Sequence, residues 1–231
     1  MKKELSFAFR RTIPVLIGYL FLGIAFGILL QSAGYNFVWA ILISVFVFAG
    51  SMEFALVGML SGGVSFLTTA IMTLSINSRH IFYGLSFIEK FKAMGKRGLY
   101  MIFSLTDETY SLLCSVAVPS DMDEKRVFFM VAVLNHLYWI CGSALGGLIG
   151  QLIPFNSTGV EFAMTALFVV IFVEQWLESK NHVPALVGIV SGVLCLIIFG
   201  PAKFILPSLV LAVAALIFYR RFEPAEKEAA K

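Results

Sequence analysis

An arginine and a histidine stand side by side inside an otherwise apolar stretch, SINSRHIFYG at residues 75–84. Three residues of this stretch could bind or carry charge, namely Asn77, Arg79 and His80. Arg79 and Tyr83 are four residues apart and would share one face of a helix. Two interpretations are open for Arg79: it pairs with an acidic residue inside the protein, or it binds the anionic group of a ligand.

Two acidic residues, Asp107 and Glu108, are adjacent in SLTDETYSLL at residues 104–113. Neighbouring positions on a helix differ by about 100° in direction, so the two carboxylates cannot lie on one face. One could line a cavity while the other pairs with a neighbouring helix. A carboxyl group without a cationic partner in apolar surroundings is a candidate proton carrier. The alternative is that both residues lie near the polar end of their segment.

A third acidic candidate, Glu53, follows Gly50 and Ser51. If a helix breaks at this glycine, the free backbone amides beside it could bind an anion. Otherwise Glu53 is a partly exposed residue at a helix end. His136 is interpreted as a hydrogen-bonded core histidine rather than as a proton relay.

Neither a metal site nor a cofactor is predicted by any spacing of residues in the sequence. Cys114, Cys141 and Cys195 are scattered through apolar segments, without a Cys-x-x-Cys pair or a Cys/His metal spacing. The H-E-x-x-H and G-x-S-x-G motifs and paired aspartates are lacking too. An enzyme acting inside the membrane is therefore the weakest class of function, and we predict that the chain is not an enzyme.

The composition indicates where these polar residues must be positioned. Of 231 residues, 59% are hydrophobic and only 13% charged, and the mean hydropathy is +0.91. Soluble domains carry about 25% charged residues, so the chain is predicted to be an integral membrane protein. Its continuous apolar runs, about 18 to 24 residues long, fit helices that cross the hydrocarbon rather than strands of a barrel. The predicted fold class is all-α and polytopic, with about six to eight apolar helical segments.

These apolar segments are predicted from the hydropathy pattern along the whole chain, which we expect to form one transmembrane domain over residues 1–231. They cover residues 13–31, 37–60, 66–89, 98–118, 127–150, 160–177, 183–199 and 203–219. Beyond them we expect a polar tail over about 220–231. Glu161 and Glu174 are expected near the membrane surface.

The basic residues conflict with three complete crossings by the first three segments. Lysines and arginines within residues 2–11 place the N-terminus in the cytoplasm, and a second basic cluster at 90–97 belongs there too. Three full crossings would put the second cluster outside. We therefore expect at least one broken or re-entrant segment, interrupted at AGSMEF (49–54) or at INSRH (76–80).

Glycines at four-residue spacing predict places where helix backbones approach closely, within the chain or against another subunit. They are Gly23 and Gly27, Gly58 and Gly62, Gly142, Gly146 and Gly150, and Gly188 and Gly192.

Four stretches, in this order along the chain, carry a family resemblance: FAGSMEF, SRHIFYG, LTDETY and EFAMTALFVVIFVEQW. The sequence resembles the AzlC/YgaZ family of branched-chain amino-acid permeases from about residue 8 to residue 218. The resemblance implies a transport domain in a bacterial cytoplasmic membrane that exports leucine, isoleucine and valine, without a cofactor. It also implies a small membrane partner of the AzlD/YgaH type. Family members often carry glutamine where this chain has Glu53.

An amino-acid substrate would need partners for both of its charges. Arg79 or the amides of a broken helix would suit its carboxylate, and Asp107 or Glu108 its ammonium group, with apolar residues around its side chain. An acidic residue could also couple transport to protons. The predicted substrate-binding or coupling residues are Ser51, Glu53, Asn77, Arg79, His80, Tyr83, Asp107 and Glu108. A channel or an accessory membrane scaffold is the alternative function.

Overall fold

The computed structural model describes residues 2–152, 181–201 and 203–222, together with positions 162, 166, 169, 172–173 and 176–177. Within these residues all regular structure is helical and no strand occurs, which confirms the all-α fold class for the described part of the chain. Glu161, Glu174 and the tail beyond residue 222 lie outside the described residues.

The helices between residues 2 and 152 are numbered here in chain order. They are α1 (Lys2–Ser32), α2 (Phe37–Phe46), α3 (Gly50–Gly62), α4 (Phe66–Asn77), α5 (Arg79–Lys92), α6 (Lys96–Phe103), α7 (Asp107–Ser115) and α8 (Glu124–Leu152). Two further helices follow, Val183–Phe199 and Ile205–Phe222.

The two long helices α1 and α8 touch through glycines. A Cβ atom added at Gly23 would lie 2.9 Å from the backbone nitrogen of Ser143, and one at Gly27 or Gly146 would overlap the facing backbone. In lipid the hydrophobic effect does not drive helices together, and they associate largely through van der Waals packing. Small residues favour this packing because they let two backbones approach closely. The predicted close approach at these glycines is confirmed, and here it occurs within the chain.

The other glycine pairs do not pack in this way. A Cβ atom added at Gly58, Gly188 or Gly192 would meet open space within the described residues, and one at Gly62 would only touch Val64 at 3.7 Å. Four-residue spacing alone therefore did not distinguish packed from open glycines.

Three of the predicted apolar segments are each divided into two helices. α2 and α3 are separated at residues 47–49, where Phe48 has a left-handed backbone with φ 43°. α4 and α5 are separated at Ser78, and α6 and α7 at residues 104–106. A helix therefore begins within AGSMEF, and within INSRH one helix ends and the next begins.

The interruption at residues 104–106 was not expected, because 98–118 was predicted as one continuous segment. That prediction was wrong, and the reason is local. Thr106 is the N-cap of α7, and its Oγ1 accepts a hydrogen bond from the backbone nitrogen of Thr109 at 3.3 Å. Asp107 and Glu108 follow in the first turn, where acidic side chains stabilise a helix N-terminus.

The chain divides into two compact units. The first comprises Met1–Thr69 and Arg79–Ala166, and its largest hydrophobic cluster joins α5 and α6 to α8 through Phe87, Phe91, Met101, Val127 and Phe128. The second comprises Ala70–Ser78 and Leu167–Lys231. In it the helix Val183–Phe199 packs against Ile205–Phe222 after a turn at Gly200, whose φ is +72°.

Two described helices, α1 and α8, are long and apolar enough to cross a membrane. Other apolar helices, including Phe37–Phe46 and Val183–Phe199, are shorter. Length and composition thus agree with the expected membrane protein, while the number of crossings stays a prediction.

Candidate functional site

The N-termini of three helices meet at Arg79 in the first unit. Arg79 is the first residue of α5, Asp107 is the first of α7, and Ser51 lies in the first turn of α3. The Nη2 atom of Arg79 donates to the Oγ of Ser51 at 2.5 Å and forms an ion pair with the Oδ2 of Asp107 at 2.8 Å. Since helix N-termini carry unpaired amides and a partial positive charge, this place favours an anion.

Aromatic side chains border this ion pair on one side. Tyr83, one turn after Arg79, donates its hydroxyl to the Oδ1 of Asp107 at 2.7 Å. Its ring stacks on that of Tyr110 at 4.5 Å and lies 5.8 Å from the ring of His80. Both carboxylate oxygens of Asp107 are therefore held, one by the cation and one by the tyrosine. We call Ser51, Arg79, Tyr83 and Asp107 the Arg79 cluster.

Partial exposure distinguishes this ion pair from an interaction in the core. The side chains of Arg79 and Asp107 are 25% and 21% exposed. An ion pair that is partly exposed can exchange one partner for a ligand without leaving a charge buried and unpaired. The arrangement can therefore accept a molecule that carries both an anionic and a cationic group.

Glu108 has other partners than Asp107 and belongs to a separate set of polar contacts. Its Oε2 accepts a hydrogen bond at 2.7 Å from the hydroxyl of Tyr19 on α1, which also lies 2.7 Å from the Oγ1 of Thr106. Thr106 contacts Thr109 at 3.0 Å, and the Nδ2 of Asn135 on α8 donates to Thr109 at 3.0 Å. A continuous chain of polar groups thus runs from Glu108 to α8.

Glu53 lies at the interruption between α2 and α3 and is fully buried. The indole nitrogen of Trp139 donates to both carboxylate oxygens at 3.0 Å. The backbone nitrogen of Ala49 adds a bond at 3.1 Å and the hydroxyl of Ser44 one at 3.5 Å. The expectation of a partly exposed helix-end glutamate was therefore wrong, because α8 covers this carboxylate.

His136 holds the same interruption from α8. Its Nε2 lies 3.1 Å from the backbone oxygen of Ser44 and its Nδ1 lies 3.0 Å from the hydroxyl of Tyr100. The ring stacks on Phe48 at 4.2 Å. These contacts agree with the interpretation of a hydrogen-bonded core histidine. We call Ser44, Phe48, Glu53, His136 and Trp139 the Glu53 cluster.

The structure brings together part of the predicted set. Ser51, Arg79, Tyr83 and Asp107 are in direct contact, and His80 adjoins them through the ring of Tyr83. Glu108 and Glu53 lie in separate contacts. Asn77 is the last residue of α4 and belongs to the second unit, where its Oδ1 is buried without a hydrogen-bond partner among the described residues. The functional roles of all eight residues stay predictions.

Sequence reasoning missed the partners of the two other carboxylates. Tyr19 and Trp139, which bind Glu108 and Glu53, lie in long apolar helices and carry no local signal. Asn135 and Thr109 were missed as well, although polar residues inside apolar segments point to internal contacts. Thr106 could have been found, since a threonine directly before two acidic residues is typical of a helix start.

A metal is not suggested by the described residues, which contain no group of three His, Cys, Asp or Glu side chains that could hold an ion. Cys114 and Cys141 are exposed and Cys195 is buried, each as a free thiol.

Comparisons with known proteins agree with the membrane interpretation. Over 95% of this chain and 86% of the relative, the sequence is 43% identical to the branched-chain amino acid transport protein AzlC of Bacillus subtilis (strain 168). It is 41% identical to an uncharacterized membrane protein of Helicobacter pylori (strain ATCC 700392 / 26695), over 95% and 96% of the two chains. Inner membrane protein YgaZ of Escherichia coli (strain K12) is 23% identical, over 79% and 78%.

No solved structure matches the chain. A family model described as AzlC protein matches residues 14–153, a range that contains both the Arg79 cluster and the Glu53 cluster. Because that model covers more than half of the chain and the Bacillus subtilis relative is similar over nearly all of it, the chain belongs to the AzlC family.

Proposed function

We propose that this chain is a membrane carrier for branched-chain amino acids, the substrates that the Bacillus subtilis relative's name states for that protein. The observation that supports the proposal is the Arg79 cluster, where an accessible ion pair lies at the N-termini of three interrupted helices. Discontinuous helices whose ends face a substrate are a recurring feature of membrane transporters.

The charges of the cluster match those of an amino acid. The carboxylate of the substrate would bind Arg79 and the free amides at the start of α3, and its ammonium group would bind Asp107. Binding would replace one internal ion pair by two pairs with the substrate, so net charge in the site stays zero. Charge balance matters because an uncompensated charge inside a membrane protein is costly.

Glu108 is the proposed proton carrier. It is adjacent in sequence to Asp107, the proposed partner of the substrate's ammonium group, yet its described partner is the neutral hydroxyl of Tyr19 rather than a cation. A carboxyl group in such surroundings can gain and lose a proton without breaking the Arg79–Asp107 pair. Proton coupling and export, rather than uptake, are the proposed mode of transport.

The proposed setting is a single transport domain in the bacterial cytoplasmic membrane, working with a small membrane partner of the AzlD/YgaH type. The family resemblance supports both. The N-terminus and the basic cluster at 90–97 are placed in the cytoplasm, and the interrupted helices allow this by letting a segment cross incompletely.

Transport is tested by reconstitution into proteoliposomes. Labelled leucine should exchange against internal leucine and should accumulate when a pH gradient is imposed, and the partner subunit should raise both rates. Exchange that depends on unlabelled substrate on the other side separates a carrier from a channel. Absence of leucine exchange with the partner present would refute the proposed function, and full transport by this chain alone would refute the need for a partner.

Orientation is tested by labelling a cysteine at the exposed position Ala93 in a variant that lacks Cys114, Cys141 and Cys195. A membrane-impermeant thiol reagent should label Ala93→Cys only after the cells are opened. Labelling in intact cells would place the 90–97 cluster outside.

A further inference from the structure

A groove of about 430 Å³ lies between the last turns of α1 and the helix α3. Its volume falls within the range of sites that hold small molecules. From α3 it is lined by Phe54, Ala55, Gly58 and Ser61, and on the other side by Ser32, the last residue of α1, and by Ala33 directly after it. Gly58 leaves the groove open, because a Cβ atom added there would meet no atom of the described residues within 4 Å.

The groove continues the face of α3 that carries Ser51. Positions 51, 55 and 58 follow one another at intervals of four and three residues, so they lie along one side of the helix. At about 1.5 Å per residue, Ser61 is about 15 Å from Ser51 along the axis, which is about half the thickness of the hydrocarbon layer. The groove thus begins at Phe54, about one helical turn beyond Ser51, and extends towards the far end of α3.

The lining of the groove suits passage rather than tight binding. All of its lining residues are uncharged, so neither charge of an amino acid would be trapped there. The side chains of Leu29, Phe54 and Val57 provide apolar surface for an aliphatic side chain. The hydroxyls of Ser32 and Ser61 donate to the backbone oxygens of Ile28 and Val57, and each can still accept a hydrogen bond from the ammonium group of a passing amino acid. Conduction requires sites that are favourable enough to enter and weak enough to leave.

We propose that this groove is one half of the translocation path, which a branched-chain amino acid follows between the Arg79 cluster and one side of the membrane. The inference rests on the proposed function. The small residues of the groove then leave room for the side chain that passes, and a bulky group attached at Gly58 would fill that room.

The test uses Gly58→Cys in the chain that lacks Cys114, Cys141 and Cys195, reconstituted with its partner. Modification by a bulky methanethiosulfonate reagent should abolish most leucine exchange, and excess leucine should slow the modification. The matched control is Leu60→Cys, which is two residues away on another side of α3 and partly exposed without lining the groove. Modification of Leu60→Cys should leave exchange unchanged, and leucine should not protect it.

The outcomes distinguish failure of the proposed path from failure of the proposed carrier function. If Gly58→Cys exchanges leucine equally well before and after modification, or if leucine gives no protection as expected for a lipid-filled groove, the path proposal is overturned while the carrier function stands. If the wild-type chain, reconstituted with its partner in parallel, exchanges no leucine at all, the proposed function itself fails. Ser61→Cys provides a second position. Loss of exchange in both unmodified variants, at unchanged thermal stability, would support the path because a single small side chain then blocks it.

Discussion

Two carboxylates that follow helix interruptions, Asp107 and Glu53, have opposite surroundings. Asp107 is partly exposed and is held by the cation of Arg79 and the hydroxyl of Tyr83. Glu53 is fully buried, and its described hydrogen bonds come from neutral donors on Ser44, Ala49 and Trp139. An accessible ion pair can exchange partners with a ligand, whereas a buried carboxylate with its donors in place holds the fold. The comparison therefore separates a candidate ligand site from a structural support.

Tyr19 connects Glu108, which follows Asp107 in sequence, to the Glu53 cluster. Its hydroxyl binds Glu108, and its ring packs edge-on against the indole of Trp139 at a centroid distance of 5.3 Å. The two regions are thus neighbours, and variants can be compared under one set of conditions.

The largest effect is expected from Glu53→Ala. It would leave the buried indole of Trp139 and the backbone nitrogen of Ala49 without an acceptor, at a cost on the order of 3 kcal/mol in the free energy of unfolding. Little folded protein should be recovered, as measured by size-exclusion profile and thermal unfolding in detergent.

Glu53→Gln is the control for that prediction, because its amide oxygen keeps one acceptor for the same donors. Its loss of stability should be clearly smaller. An unchanged melting temperature in Glu53→Ala, together with lost leucine exchange, would assign Glu53 to the substrate site and remove the contrast with Asp107.

Arg79→Lys should behave in the opposite way, with normal folding and impaired transport. Lysine keeps the charge but lacks the planar fork that can bind a carboxylate through two parallel hydrogen bonds. Losing one charge-assisted hydrogen bond predicts about a tenfold fall in leucine exchange at matched protein levels. Arg126→Lys is the matched control, since Arg126 pairs with Asp123 at an exposed surface. Wild-type exchange in both Arg79→Lys and Arg79→Ala would show that Arg79 does not bind substrate.

Asp107→Asn and Glu108→Gln should separate pairing from proton transfer. Asp107→Asn removes the anionic partner of Arg79, so we expect reduced exchange as well as lower expression or stability. Glu108→Gln should lose accumulation driven by a pH gradient but keep exchange of one amino acid for another. Both rates are measured in the same proteoliposomes. Retained pH-driven accumulation in Glu108→Gln would exclude Glu108 as the proton carrier.

Tyr19→Phe should give the smallest effect. It removes one hydroxyl that bridges Glu108 and Thr106, while the ring contact with Trp139 remains, so the cost is about 1 kcal/mol of stability. Thermal unfolding should show a small shift relative to Tyr35→Phe, in which the tyrosine packs against Trp39. A shift as large as that of Glu53→Ala would mean that the two clusters form a single structural network.

Local sequence patterns predicted the accessible cluster better than the buried one. The shared face of Arg79 and Tyr83 follows from four-residue spacing, and the pairing of Arg79 with an acidic residue follows from the cost of an isolated charge in lipid. The choice of Asp107 over Glu108 could not be predicted, because it depends on how the start of α7 is oriented by its cap.

The burial of Glu53 could not be predicted from local sequence patterns, for a different reason. Its main donor, Trp139, is 86 residues away, and Tyr19 is 89 residues from Glu108. Such contacts arise only when α8 and α1 pack beside the interrupted helices. The glycines of α1 and α8 indicated close packing, but their spacing did not identify which helices would meet.

Backbone contact between α1 and α8 also limits how the protein can move. Turning either helix about its axis would bring a neighbouring side chain, such as that of Leu22 or Ser143, into a gap that has no room for a Cβ atom. Close-packed contacts change between discrete arrangements rather than deform continuously. We therefore expect α1 and α8 to move together as one rigid body. In a carrier cycle, conformational change would then come from the interrupted helices, which can bend at residues 47–49, 78 and 104–106.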